Sequence, residues 1–113
     1  MPATREDDQA KRHRFGLAAA LGDANAQAAL GMMHHRGDGG PVDFAEARRL
    51  LGLAAAQGYA QAQYNLGGMH RRGDGGPVDF AEARRLYGLA AEQGDAEAQW
   101  NRRLAYCERG RGT

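Results

Sequence analysis

The chain has 113 residues, 42% of them hydrophobic and 26% charged, which suits one small folded domain and excludes a disordered tail. Aromatics make up only 7%, and Val and Ile are nearly absent, so the interior must be built from Ala, Leu and Met in helices rather than from sheet formers. A net charge of +1 gives no reason to expect nucleic acid, a single Cys forbids an intrachain disulfide framework, and no apolar run reaches the roughly 18 residues of a membrane span.

The first 14 residues, MPATREDDQAKRHR, are a charged extension or the start of the first helix. They lack the apolar stretch of a signal peptide, which points to the cytoplasm. Residues 15–101 carry seven basic and ten acidic groups, and residues 102–113 carry four basic and one acidic. The short basic end is read as a solvated tail, of which 111–113 is the last part.

Internal repetition governs what lies between. The segment GDGGPVDFAEARRL stands at 37–50 and again at 73–86, an offset of 36 residues. Aligning 23–58 with 59–94 leaves differences only at 23, 25, 28, 29, 32, 35, 51 and 56. Phe15 to Ala20 matches the second half of this unit and Asp95 to Asn101 the first half, so 15–110 reads as half a unit, two full units and half a unit.

Each unit predicts two helices. The first runs from about 24 to 36, with Asp23 as N-cap and Gly37 suited to the left-handed residue that ends it. Gly39, Gly40 and Pro41 forbid continuation. The second helix starts at Asp43, with Glu46 three residues on as an acidic capping box and Val42 and Ala47 placed as a hydrophobic staple. Gly58 ends it. The next unit repeats the pattern, but Tyr59 replaces the N-cap Asp. At the start, residues 6–22 form a helix of the second kind. Gly52 and Gly88 interrupt the second helices and are expected to mark close contacts between hairpins. One hairpin of this size cannot bury its apolar face alone, whereas stacked hairpins can, so the fold class is an all-α solenoid of antiparallel helix pairs.

The string Ala60-Gln61-Ala62-Gln63-Tyr64-Asn65-Leu66-Gly67, then Met69-His70, Gly73-Asp74-Gly75, Ala83 and Ala90-Ala91-Glu92-Gln93-Gly94, strongly resembles the Sel-one-like repeat, a relative of the tetratricopeptide repeat. The resemblance covers about 15 to 110 and implies a right-handed superhelix and an adaptor that assembles protein complexes. Some bacterial members are rich in paired cysteines, and Cys107 alone does not fit that branch. His34 and His70 stand where the family often has Tyr.

The two copies form an internal experiment. At about 100° per residue, the differing positions 25, 28, 29, 32 and 35 occupy one arc of about 120° on the first helix. Gln27, Leu30, Gly31 and His34 lie opposite and recur as Gln63, Leu66, Gly67 and His70. The constant face is expected to pack between repeats, and the changing face to line the concave groove of a tetratricopeptide-like superhelix. Its occupants are Asn25, Ala28, Met32 and His35, then Gln61, Tyr64, Gly68 and Arg71, then Glu97 and Trp100, with the invariant Arg36 and Arg72 at the edge. This groove would receive a peptide or protein, anchored by aromatics and Arg.

Other chemistry is set aside. His34 and His35 point about 100° apart, and His34 and His70 are a repeat apart, so neither pair clasps a metal, and no cofactor is expected. GDGG lacks the Lys and Ser/Thr of a phosphate loop and follows a helix. Arg48-Arg49 and Arg84-Arg85 are read as a solvated outer face with Glu46 and Glu82 as partners. The sequence has no serine, its Thr residues are Thr4 and Thr113, and no nucleophile with a base can be assembled, so no enzyme is expected. The alternative to an adaptor is a capping or spacer fragment that self-associates through its terminal repeats.

Overall fold

A computed structural model describes residues 4–94 and residue 103. Among the described residues five helices follow one another: α1 (Thr4–Ala20), α2 (Ala24–Arg36), α3 (Phe44–Ala56), α4 (Ala60–Arg72) and α5 (Phe80–Glu92). Among the described residues there is no strand. Each helix packs on the next, and the tightest pairs are the hairpins α2/α3 and α4/α5. The expected all-α stack of antiparallel helix pairs is therefore present, with α1 as a helix of the second kind.

The ends of the helices are set by the predicted residues. The Asp23 carboxylate accepts from the Ala26 amide at 3.0 Å, and Asp43 accepts from the Glu46 amide at 3.0 Å. Tyr59 opens α4 without any side-chain cap. Gly37 takes φ 80°, and its amide and that of Asp38 both donate to the Met33 carbonyl. Glu46 does not complete a capping box, because the Asp43 amide is already bound to the His34 carbonyl at 2.8 Å. Instead Glu46 turns outward to Arg49, whose Nε lies 2.8 Å from Oε1. Val42 is half exposed and lies over Gly37.

The face held constant between copies is the packed one. Leu30 and Leu66 are 8% and 7% exposed, and Gly31 and Gly67 are buried. A Cβ on Gly31 would stand 3.0 Å from Leu51 Cγ and 3.3 Å from the Ala47 carbonyl oxygen; one on Gly67 would stand 2.9 Å from the Tyr87 ring. Only glycine lets these helices approach so closely. The same reasoning fails for Gly52, where a Cβ would meet nothing within 4 Å. Its side of α3 faces an open cleft between hairpins rather than a neighbouring helix.

Two polar ladders, repeated at the 36-residue period, join successive units. In the first, the buried Gln27 donates to the Ala19 carbonyl at 3.3 Å and accepts from Gln57 at 2.8 Å, while Gln57 also reaches the Gly22 carbonyl. Gln63 and Gln93 repeat this with Ala55 and Gly58. In the second, Arg12 donates to the carbonyls of Asp38 (2.8 Å) and Met33 (3.3 Å), and Arg48 to those of Asp74 (2.7 Å) and Met69 (3.3 Å). Arg48 is thus an inner joint and not the outer-face residue expected, because its side of α3 meets the end of α4. Its neighbour Arg49 is on the outer face, paired with Glu46, as Arg85 is with Glu82.

The GDGG turns belong to the same joint. A Cβ on Gly39 would stand 2.7 Å from the Asp8 carbonyl oxygen of α1, and one on Gly75 2.7 Å from that of Phe44 in α3. The turn rests directly on the start of the preceding second helix, which a side chain would prevent.

Candidate functional site

A hollow of about 520 Å³ opens between α1, α2 and α4. Asp8, Lys11 and Phe15 line it from α1. Asn25, Ala28, Ala29, Met32 and Arg36 of α2 form the floor, and Gln61 and Asn65 of α4, with Tyr59, the far wall.

Its chemistry is mixed. Phe15 and Met32 give a half-buried apolar floor on which a flexible thioether can adapt to shape. Asn25, Gln61 and Asn65 contribute carboxamides, each able to donate and to accept. The Tyr59 hydroxyl donates to Asn25 Oδ1 at 3.3 Å and so orients that amide. Charges are balanced: Asp8 and Lys11 both line the hollow, and Arg36 Nε is 2.8 Å from Asp38 Oδ2.

The sequence-predicted groove residues divide into three groups. Asn25, Met32, Arg36 and Gln61 line this hollow. Ala28 also touches it but is only 4% exposed, because it packs into the central core with Leu51 and Leu66. Gly68 is buried as well, with Arg72 lying over it. For these two the expectation of an outward position does not hold, since the changing arc also includes positions that meet the next hairpin. His35 lies between repeats, its Nε2 3.1 Å from Asp74 Oδ2 and its ring 5.0 Å from that of Phe44. Tyr64, Arg71 and Arg72 border a second hollow of about 50 Å³. There the Tyr64 ring sits 5.8 Å from Tyr87, Arg71 Nε approaches the Tyr87 hydroxyl at 3.4 Å, and Arg72 pairs with Asp74. Glu97 and Trp100 lie outside the described residues, as does Cys107.

Sequence reasoning missed Lys11, Phe15, Tyr59 and Asn65. Phe15 is the counterpart of the buried Leu51, and Asn65 stands at a position that differs between the copies, which is the signal that could have placed it in the groove. Lys11 occupies the place where later units bury Ala47 and Ala83 completely, a polarity change that marks α1 as facing water.

Electrostatics reflect these pairings. The Asp74 carboxyl is held below its ordinary 3.8: burial works to raise it, and hydrogen bonds from His35 and Arg72 outweigh that. Glu46 and Glu82 lie below their ordinary 4.5, chiefly through hydrogen bonds from Arg49 and Arg85. His34 and His70 lie below 6.5, first because burial disfavours the imidazolium and then because Arg12 and Arg48 stand beside them. Among the described residues no group of three His, Cys, Asp or Glu could hold a metal, and no helix is long and apolar enough to cross a membrane.

A profile of the Sel1 repeat matches residues 24–59 and 60–95. Among solved structures, the chain is similar to a protective antigen of uropathogenic Escherichia coli strains displaying an SLR fold, with 40% identity over 74% of this chain and 18% of that one, and a TM-score of 0.73. It is similar also to a Sel1 repeat protein from Oxalobacter formigenes, with 33% identity over 84% of this chain and 39% of that one, and a TM-score of 0.79. The chain therefore spans well under half the length of either. No curated protein matches it.

Proposed function

The chain belongs to the Sel1 repeat family, whose repeats generally serve as protein-interaction modules, and from that premise we propose that it is a non-catalytic adaptor holding an extended peptide segment of a partner in the hollow between α1, α2 and α4. The observation that carries this reading is the lining itself. Three carboxamides, Asn25, Gln61 and Asn65, stand around an apolar floor of Phe15 and Met32. Amides suit the alternating donors and acceptors of an extended main chain, and the floor suits one bulky apolar side chain. The balanced charges give no feature that selects a polyanion.

The alternative, a spacer that stacks end to end on copies of itself, finds less support. Lys11 stands where stacking would require an apolar residue such as Ala47, and Arg103, one period after the close-contact Gly67, is exposed. Light scattering distinguishes the two, since an adaptor of this kind stays monomeric at concentrations where a spacer assembles.

The test of the proposal is a displayed library of random linear peptides selected on the intact chain. Met32→Lys and the pair Asn25→Ala with Gln61→Ala should each weaken the selected peptides about tenfold or more, near 1.4 kcal/mol, with helicity unchanged. Trp100→Ala is run beside them to test the remaining anchor. Peptides that bind all the hollow variants as well as the unaltered chain would overturn the reading.

A further inference from the structure

We propose that the joint between consecutive repeats is an acid-sensitive latch: Arg12 and Arg48 grip the end of the following hairpin's first helix fully only while His34 and His70 are neutral. The geometry is the same in both copies. Arg12 Nη1 lies 3.1 Å from His34 Nδ1, and Arg48 Nη1 lies 3.2 Å from His70 Nδ1. Arginine offers donors only and keeps its charge throughout the physiological range, so Nδ1 must be the acceptor and the ring proton must reside on Nε2. A proton added to Nδ1 would set donor against donor and cation against cation at that distance.

The rest of the grip depends on the same guanidinium. Arg12 holds the Met33 and Asp38 carbonyls, and Arg48 those of Met69 and Asp74. A guanidinium pushed away from the imidazole must slacken those bonds, and with them the GDGG turn seated against α1 or α3. Asp38 also pairs with Arg36 at the rim of the hollow, so the first latch controls that rim.

The groups facing each imidazole do not cancel the effect. His34 sees Arg12 from α1, and Asp43, Glu46 and Arg49 from the start of α3. His70 sees Arg48 from α3, and Asp79, Glu82 and Arg85 from α5. The carboxylates favour protonation, but Glu46 and Glu82 are each bound to their own arginine, and Asp43 and Asp79 to backbone amides. Burial and the latch arginine prevail, leaving both rings below 6.5.

The sign follows from linkage. The unfolded chain takes up these protons at about 6.5, and the latched chain only at lower pH. Stability is therefore full above 6.5 and is lost as pH falls below it. Glu46, Glu82 and Asp74 act in a separate, more acidic window, below their ordinary values of 4.5 and 3.8.

Urea denaturation of the intact chain at pH 7.5 and 5.5 tests the latch. At 5.5 each unfolded imidazole favours its proton about tenfold, so the folding equilibrium should fall by up to tenfold per latch and a hundredfold for two. His34→Asn with His70→Asn replaces Nδ1 by an acceptor that does not titrate and should remove the difference between the two pH values. His35→Asn should keep it. A double variant that loses as much stability as the unaltered chain overturns the proposal, as does an unaltered chain that loses none. Should the double variant not fold, NMR titration of the imidazoles in the unaltered chain decides: both rings titrating below 6.5 support the latch, and either one titrating at or above 6.5 overturns it. None of these readouts requires the hollow to bind a peptide.

Discussion

The two full repeats agree at 28 of 36 positions yet are packed differently inside. In the first, Leu51 is fully buried beside Ala28, and Met32 packs against the same cluster. In the second, the equivalent places hold Tyr87, Tyr64 and Gly68. Tyr87 is 1% exposed, its ring against Gly67 and near Tyr64, and the space left by Gly68 is covered by Arg72. Three of the eight differences are therefore one exchange of volume. In the first copy Met32 is left to line the hollow between α1, α2 and α4, and in the second Tyr64 and Tyr87 stand together beside Gly68. The same place is thus packed through Leu51 in one copy and through two tyrosine rings in the other.

The strongest way to break this comparison is to remove the ring that fills the second repeat. Tyr87→Ala should destabilise the chain by about 3–5 kcal/mol, because Tyr64 and Gly67 lose their packing partner and cannot close the space. Rewriting the second repeat as the first, with Tyr64→Ala, Gly68→Met and Tyr87→Leu together, should cost less than the three single changes added, by about 0.5–3 kcal/mol. Urea denaturation of the four variants reads this directly. Strict additivity would show that the three positions differ independently, and the volume exchange would be wrong.

This coupling explains how far the sequence was legible. The helix boundaries, the caps at Asp23 and Asp43 and the buried face through Leu30 and Leu66 follow from short-range rules, and the structure has them. The wheel also separated a packed face from a changing one. What it could not show was that a first helix has three surroundings and not two: its own partner, the next hairpin and the open groove. Ala28 and Gly68 change because their neighbours change, and a single helix carries no record of those neighbours. Arg48 was misassigned for a related reason. A charged dipeptide on a helix reads as solvated, and only the arrival of the α4 terminus, 21 to 26 residues on, gives its guanidinium carbonyls to bind. Gly52 was misread because a glycine in a helix looks alike whether it faces a neighbour or an open cleft.

The dipeptide Arg48-Arg49 sharpens the contrast between joint and surface. Arg48→Met keeps most of the aliphatic stem but takes the side-chain donor from the Asp74 carbonyl and leaves that of Met69 with its two backbone donors alone, and it should cost about 1–3 kcal/mol. Arg49→Met removes an exposed pair with Glu46 and should stay within about 0.5 kcal/mol. Thermal melts of the two variants rank them. Equal effects would mean that Arg48 contributes no more than a surface residue.

One expected effect is a gain. Gly52→Ala places a methyl where nothing lies within 4 Å, and the α3 backbone there is already helical, so the change removes unfolded-state freedom without a clash. It should stabilise the chain by up to about 1 kcal/mol. Gly31→Ala is its foil on the packed face. There the methyl would press on Leu51 at 3.0 Å and the Ala47 carbonyl at 3.3 Å, and the backbone oxygen cannot turn aside as a side chain can. The helix preference is the same at both sites, so opposite signs of the two changes in urea midpoint would isolate packing as the cause. A loss of stability at Gly52 comparable to that at Gly31 would mean that the cleft beside α3 closes in solution.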